Sequence, residues 1–329
     1  AAPHRYLRNL TYRCYSAIAR NMRVDAAGEA LADNRPFRDA ARMAPYLGGR
    51  TAMKGVALLH AQQTLDFYGG PKGNDAGYAA QGALYALLRG MGKPLSVLED
   101  ADLNRKALRG YALLILNNVE LMSDAAVRAI SGYVREGGAL LATGRTSLRR
   151  EDGVARADFG LANLMGVSYR PKPVPRISNH PMHVAGEYIE RFGGVRMCRT
   201  PGRHPLAGSI AKALARPVFI RGNAVQARAR HRADVVARWG PDPSGPAALV
   251  MRKSGKGRVA YCSADPAAAL LNAGNVVDRL LEELVHRLAG ALPVEVSAPR
   301  GVEALFYERK GARQILVHLL NSQGPEGLT

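Results

Sequence analysis

The chain has 329 residues, 47% of them hydrophobic, which is enough for one large domain with a substantial core and one or two small domains. No apolar run approaches the roughly 20 residues that cross a bilayer, and the first residues lack the apolar stretch of a secretory signal, so we expect a folded, soluble protein without a membrane partner. The formal charge of +19 makes a polyanionic partner one hypothesis to weigh.

The first part of the chain has helical spacing. Apolar residues recur three and four apart from residue 4 onward, and Asn34 can cap a second helix that ends at Gly48 and Gly49. We therefore predict a helical segment over residues 1–50. Because the chain starts without Met and stops just after a strand-like run, we expect it to be a piece of a longer protein.

Residues 51–290 have the alternation of an α/β fold. Short apolar runs typical of buried parallel strands alternate with amphipathic helices, and a glycine-rich loop is expected over 66–74. The predicted strands are 55–61, 94–98, 111–116 and 139–143, and the predicted helices are 75–89 and 123–136. Right-handed crossovers between such strands give a doubly wound, mostly parallel sheet of the flavodoxin or amidotransferase type.

The second half of this region is less regular. We expect a short helix at 158–165, an irregular stretch broken by prolines over 171–181, and strands at 217–220 and 234–239. A hairpin is expected at 247–263 and an amphipathic helix at 275–288. From residue 291 the pattern changes to strict alternation, which predicts a small antiparallel β-domain over 291–329 that is cut short.

Cysteine and histidine usage indicates neither a disulfide framework nor a metal site. Cys14, Cys198 and Cys262 are odd in number, far apart and without a CxxC pair. The histidines and glutamate between 180 and 187 lack zinc-ligand spacing. We expect buried thiols in a reducing compartment, which favours the cytoplasm, and we expect no metal and no cofactor.

The basic residues are dispersed along the chain. The runs at 145–150 and 228–232 are short and interrupted, and aromatic residues make up only 6% of the sequence. Single-stranded nucleic acids are usually held by interleaved basic and aromatic side chains, so a solvated basic surface is favoured over a nucleic-acid site. A basic α/β protein that binds polyanions or nucleic acid remains an alternative function.

Several segments resemble one family of proteins. These are 56–64, 116–124, 137–148, 158–167 and 255–261, in this order and at this spacing. They resemble the accessory region of family 42 glycoside hydrolases, known as the β-galactosidase trimerisation domain, which has a glutamine-amidotransferase-like fold. The antiparallel tail fits as well, because such hydrolases end in a small β-domain.

The resemblance implies that the catalytic machinery lies elsewhere. In the family, two catalytic carboxylates sit on a (β/α)8 barrel that precedes this module, and a barrel needs some 200 residues or more. Only residues 1–50 could be the end of such a barrel. Asp25 and Glu29 could share a helical face and form a carboxyl pair, although a solvated helix end is the favoured interpretation.

By resemblance, this chain is the accessory and oligomerisation portion of a carbohydrate-active hydrolase. Its expected partners are copies of itself, forming a trimer in the family, and a carbohydrate bound through the parent enzyme. In the family the module packs subunits together and can help to close the neighbouring active site. We expect no catalysis from this chain alone, and the enzyme alternative is an autonomous activity in the amidotransferase-like cleft.

Doubly wound sheets bind ligands at the carboxyl ends of their strands, which directs attention to the loops after residues 61, 116 and 143. In amidotransferases the nucleophilic Cys stands at the turn after the strand that corresponds to 139–143. Here Gly144 follows that strand, and Ser147 lacks the frame of a serine elbow. We therefore expect no nucleophile at this turn, and we expect Gly144 to permit its tight backbone conformation.

The remaining ligand candidates in this cleft are Asn117, Asn118, Glu120 and Arg145. Glu120 could accept hydroxyl groups of a sugar, while the two amides could donate to it. The structural alternative, which is favoured, is that the asparagines satisfy loop backbone groups and Glu120 favours the following helix N-terminus. Arg145 could bind an anion or pair with Glu120, and the sequence leaves both open.

Overall fold

The computed structural model describes residues 35–70, 74–177, 193–201, 204–271, 276–299, 301–309, 311 and 313–321. The chain divides into two compact units. The larger unit is formed by residues 55–87 and 96–292, and the smaller by residues 1–54, 88–95 and 293–329. The boundaries at residues 50 and 290 that the sequence suggests stay a prediction.

Nine α-helices lie in the described ranges. They are α1 (Arg35–Leu47), α2 (Gln62–Gly69), α3 (Asp75–Arg89), α4 (Arg105–Leu108), α5 (Asp124–Arg135), α6 (Ala162–Met165), α7 (Ile210–Ala213), α8 (Pro266–Leu270) and α9 (Val277–Ala289). Short 3-10 helices occur at Asp100–Asp102 and Arg232–Asp234. Among the described helices, none is long and apolar enough to cross a membrane.

The strands form two sheets. They are β1 (Thr51–Ala52), β2 (Val56–His60), β3 (Leu95–Glu99), β4 (Leu113–Leu116), β5 (Ala139–Thr143), β6 (Val167–Pro173), β7 (Gly194–Arg199), β8 (Val218–Arg221), β9 (Val225–Ala229), β10 (Val235–Trp239), β11 (Ala247–Ser254), β12 (Gly257–Cys262), β13 (Val302–Arg309) and β14 (Gln314–Asn321). The order in the large sheet is β3-β2-β4-β5-β12-β11-β10-β7-β8, and β6 and β9 form a side branch on β11.

The centre of the large sheet is parallel and one side of it is antiparallel. Strands β2, β4, β5 and β12 run parallel, because helical crossovers connect the first three. The hairpin of β11 and β12 reverses the direction, and β10, β7 and β8 continue antiparallel from there. The α/β class with a parallel centre is therefore confirmed, as part of a mixed sheet.

Helices cover both faces of the parallel strands. The four strands bury nearly every side chain, which explains why their sequences are continuous apolar runs. Alternate residues such as Leu114 and Leu140 join Ile130 of α5 in one core. The helix α9 contacts β4, β5 and β12 and buries Leu281 and Leu284. The residues of α9 do not belong to the core that contains Ile130 of α5, so α9 lies on the other face of the sheet.

The smaller unit contains an antiparallel sheet in the order β1-β13-β14. Its strands β13 and β14 pair along their full length, as the alternating sequence predicts. Arg50 lies against the Tyr307 ring, 4.4 Å from its centroid, and contacts His318 through a 2.7 Å hydrogen bond. Residues 35–47 are helical, but the first 34 residues lie outside the described part, so the helical segment over 1–50 is not confirmed as a whole.

Two local expectations are wrong. The loop expected from residue 66 is partly helical, since α2 runs to Gly69 with Thr64 and Leu65 buried. The irregular stretch expected from Pro171 begins as β6, which pairs with β9, a strand that the sequence did not reveal. Proline is tolerated in β6 because this strand has a partner on one side only, and the register shifts between Arg170 and Pro173.

Candidate functional site

The carboxyl ends of β4 and β5 are joined by polar side chains. Thr143, the last residue of β5, donates its hydroxyl to Asn117 Oδ1 at 3.1 Å and accepts from the Asn118 amide at 3.0 Å. Asn117 and Thr143 are both buried, so these bonds satisfy groups that water does not reach. The Asn118 side chain accepts from the Arg145 amide, which is the backbone role expected of it. Among the described residues, the Asn117 side chain bonds to the side chains of Thr143 and Asp265, and not to the loop backbone as expected.

Gly144 forms the turn after β5 in a left-handed conformation, with φ +56°. A Cβ at this position would lie 2.3 Å from Asn118 Oδ1, which itself accepts a hydrogen bond of 2.9 Å from the Arg145 amide. The Tyr261 hydroxyl donates to the Gly144 carbonyl at 2.7 Å. The turn where an amidotransferase carries its thiol is therefore occupied by the Asn118 side chain and requires glycine.

Glu120 is the centre of a buried ion cluster. Only 1% of its side chain is exposed. Arg145 donates to both of its carboxylate oxygens, at 2.7 and 2.8 Å, and Arg149 donates to one at 2.9 Å. The Tyr68 hydroxyl is a further donor. The structure therefore answers the question that the sequence left open for Arg145, which pairs with Glu120 in the bidentate geometry typical of strong ion pairs.

The titration behaviour of the cluster follows from these bonds. The hydrogen bond to Glu120 raises the pKa of Arg145 above its ordinary value. The bonds to Tyr68 and Glu120 raise the pKa of Arg149. Burial, followed by the contact with Glu120, raises the pKa of Tyr68. Both guanidiniums therefore stay charged and the phenol stays neutral at physiological pH.

We call the cluster of Tyr68, Glu120, Arg145 and Arg149 the Glu120 clamp. Aromatic side chains from α2 form its outer surface. Phe67 is 45% exposed and Tyr68 is 50% exposed. Their rings meet edge to face at 5.1 Å, and the Arg149 guanidinium lies 5.2 Å from the Phe67 ring centroid. The clamp therefore fixes an exposed aromatic surface at the carboxyl edge of the sheet.

Asp265 extends the polar network beyond β12. It caps α8 by accepting from the Ala267 and Ala268 amides at 3.1 and 3.3 Å. Burial raises the pKa of its carboxyl, and hydrogen bonds from Asn117 and from the two amides oppose this rise. Its contacts are those of a capping residue that also orients Asn117.

The end of β2 places a histidine at the same edge of the sheet. The two ring nitrogens of His60 contact Gln81 and Gln62 at 2.8 and 3.0 Å. Asp100 accepts from the Gln63 amide at 2.9 Å. Both nitrogens of His60 contact glutamine side chains, so the ring is held in place by its neighbours.

Two of the possible nucleophiles, Cys262 and Ser147, are buried. Burial raises the pKa of the Cys262 thiol to about 12, so it stays protonated at neutral pH. Ser147 is fully buried and its hydroxyl accepts from the Leu161 amide at 3.0 Å. Cys198 is partly buried. Cys14 and the carboxyl pair Asp25 and Glu29 lie outside the described residues, so the pair stays a prediction.

Metal ligands do not converge within the ranges that the structure describes. No group of three or more His, Cys, Asp or Glu side chains there could hold an ion. The segment 180–187 lies outside these ranges.

Sequence reasoning missed three residues of the site. Tyr68 and Arg149 complete the shell of Glu120, and Asp265 bonds to Asn117. Tyr68 was placed in a loop because glycines follow it. Arg149 could have been recognised from the sequence because it follows Arg145 by four residues after a buried strand. Only the fold shows that both arginines reach Glu120.

The described fold is shared with hydrolases of known structure. A β-galactosidase from Bacillus circulans sp. alkalophilus matches 87% of this chain with a TM-score of 0.62 and 17% identity, over 39% of its own length. A family 42 β-galactosidase from G. stearothermophilus matches 86% with a TM-score of 0.56 and 16% identity, over 38% of its length. The fold is that of one part of a family 42 β-galactosidase. The resemblance in the sequence is thereby confirmed at the level of the fold.

A third structure widens the comparison. An α-L-fucosidase from Paenibacillus thiaminolyticus matches 95% of this chain with a TM-score of 0.63 and 13% identity, over 46% of its length. The chain thus spans less than half the length of each of these enzymes. No protein-family model and no curated protein matches the sequence. At such identities the likeness shows the fold, and activity does not follow from it.

Proposed function

We propose that this chain is the accessory, assembly-forming portion of a carbohydrate-active glycoside hydrolase whose catalytic carboxylates lie outside it. The observation that carries the proposal is the match of nearly the whole chain to less than half of several hydrolases. A galactosidase and a fucosidase share this part, so we expect the sugar to be selected elsewhere in the parent protein. The closed turn at Gly144 supports a non-catalytic role.

The proposed role of the five cleft candidates follows their contacts. Asn117, Asn118, Glu120, Gly144 and Arg145 bond mainly to one another and to the strands, which supports a role in holding the carboxyl edge rigid. Binding of a ligand by these side chains stays a prediction. The rigid edge presents Phe67 and Tyr68 to solvent, and exposed aromatics beside arginines are typical of protein interfaces.

We propose this aromatic surface as the contact between copies of the chain, most simply in the trimer that the family resemblance suggests. Closed oligomers hide apolar surface that a single subunit exposes. The charge of +19 per chain opposes association, so moderate salt should strengthen it by screening. This trend is opposite to the weakening that salt causes in polyanion binding.

Sedimentation equilibrium across a salt series tests the assembly role. We expect oligomers at tens of micromolar, with Phe67→Ser weakening association about tenfold, because truncating a buried interface aromatic commonly costs more than 1 kcal/mol. Val97, which is 48% exposed on β3, gives the matched control Val97→Ser, for which we expect little change. A monomeric mass in every condition would remove the assembly role from this chain.

A further inference from the structure

The larger unit contains a cavity of about 540 Å³ beside the β6–β9 ladder. It is open to solvent and is bordered by this ladder, by the end of β10 and by the loop that leads into β11. Five of its thirteen lining residues are arginines: Arg170, Arg228, Arg230, Arg232 and Arg238. None of the thirteen is acidic and none is aromatic. We call it the arginine cavity.

The register of the ladder explains why arginines gather here. Arg170 on β6 lies opposite Gln226 on β9, and Ser168 lies opposite Arg228. Opposed residues, and residues two apart, share one face of a sheet, so both arginines are on the same face. The other face carries Ala227 into the core. The arginines of the run at 228–232 are therefore solvent-exposed, as the sequence predicts, and they line one cavity.

Among the described residues, most of this positive charge has no counterion. Arg230 is bonded to Asp158 at 3.3 Å and to Ser168 at 3.2 Å. The side chains of Arg170, Arg228 and Arg232 have no carboxylate or hydrogen-bond partner in the part of the chain that the structure describes. The cavity lining thus includes three guanidiniums without a carboxylate partner among the described residues, and these would attract an anion.

Arg238 adds a hydrogen-bond donor without a partner to the cavity lining. Its Nη1 donates to the Gly245 carbonyl at 2.6 Å, whereas its Nε is buried without a partner. Burial and the neighbouring charge of Arg232 lower the pKa of Arg238, and only Asp242 acts in the opposite direction. Asp242 is itself held by the amide and hydroxyl of Ser244. A buried donor next to like charges is the arrangement that a bound oxyanion would stabilise.

The side chains that line the cavity limit the chemical class of ligand that it could bind. Guanidinium groups bind phosphate and sulfate oxygens in a bidentate way. The lining lacks an aromatic ring on which a base could stack, which disfavours nucleotides and single strands. The volume is that of a small-molecule site. We propose that the arginine cavity binds a small ligand that carries two or more phosphate or sulfate groups.

Calorimetric titration of the whole chain with tripolyphosphate tests this proposal. We expect saturable binding of one ligand per chain that weakens with salt. The variant Arg170→Gln/Arg228→Gln/Arg232→Gln should bind at least about tenfold more weakly, since charge-assisted hydrogen bonds contribute some 1.5 kcal/mol or more each. Thermal unfolding should be unchanged, because all three side chains are exposed and unpaired. If the triple variant does not fold, the single variant Arg228→Gln carries the same test.

A matched control removes the same charge from elsewhere in the same unit. Arg128, Arg216 and Arg279 are exposed and lie away from the cavity lining. The variant Arg128→Gln/Arg216→Gln/Arg279→Gln should retain affinity within about twofold, because distant exposed charges are screened. Equal losses in both triple variants would show diffuse charge attraction and overturn the proposal, as would absence of saturable binding.

Further titrations distinguish the sources of the charged groups. Sucrose octasulfate represents a sulfated sugar and tripolyphosphate a phosphorylated compound, and the tighter of the two assigns the class. A single-stranded DNA oligonucleotide is the third ligand. We expect it to bind more weakly than both, and tighter binding that is lost in the cavity variant would overturn the small-ligand proposal in favour of a nucleic-acid site.

Discussion

Two regions of the larger unit use arginine in opposite ways. In the Glu120 clamp, Arg145 and Arg149 share one buried carboxylate, which is bonded on all sides. In the arginine cavity, Arg228 and Arg232 line one open space without a carboxylate partner among the described residues. The same residue type is thus a structural element where its charge is compensated and a candidate ligand contact where it is not.

The comparison also bears on the net charge of +19. Composition indicates a basic surface but not where the charge is used. In the clamp, the charge fixes a loop and the aromatic side chains above it. In the cavity, the charge lines the site that we propose for an anionic ligand.

The largest expected effect is on the clamp. Glu120→Gln leaves two guanidiniums facing a neutral amide, and we expect a loss of about 3 kcal/mol in the free energy of unfolding, the low end for breaking a buried ion pair because Arg145 is 44% exposed. Urea denaturation measures it. The control is Glu136→Gln, whose partner Arg105 is 78% exposed and whose own side chain is 54% exposed, so under about 1 kcal/mol is expected. Equal losses would mean that the clamp is not a structural unit.

A smaller effect is expected from the closed turn beside the clamp. In Gly144→Ala, the positive φ and the contact with Asn118 Oδ1 together should cost about 2 kcal/mol. Gly240, at the end of β10 on the side of the cavity, has φ +77° but open space around it, so Gly240→Ala reports the backbone strain alone. The difference between the two variants in urea denaturation measures the packing of the turn. No difference would show that the turn after β5 has room for a side chain.

Sequence reasoning predicted the parallel centre of the fold well. The strand Ala139–Thr143 and the helix Asp75–Arg89 have the predicted bounds, because apolar runs and helical periodicity are local signals. Ser123, the first residue of the predicted helix 123–136, caps α5 by accepting from the Ala126 amide at 3.1 Å. The cleft residues after β4 and β5 were found because strand order places their loops together.

The rest could not be predicted because it depends on contacts between distant segments. The strand β6 contains prolines, which suggest irregular structure, and only its pairing with β9 on one side makes a strand possible. The arginine cavity lies on this ladder, so only the pairing of the two strands shows that Arg170 and Arg228 share a face. Tyr68 was missed for a similar reason, because its partner Glu120 is 52 residues away.

The most direct test of the contrast between the two regions is to measure tripolyphosphate affinity and unfolding free energy on the same two variants, Arg145→Gln and Arg228→Gln. The account predicts a crossed result. Arg145→Gln loses stability, because Glu120 loses its bidentate partner, and keeps its affinity for tripolyphosphate. Arg228→Gln keeps its stability and loses affinity. If both variants lose affinity to the same extent, or if Arg228→Gln is the less stable of the two, the assignment of a structural clamp and a ligand-binding cavity is contradicted.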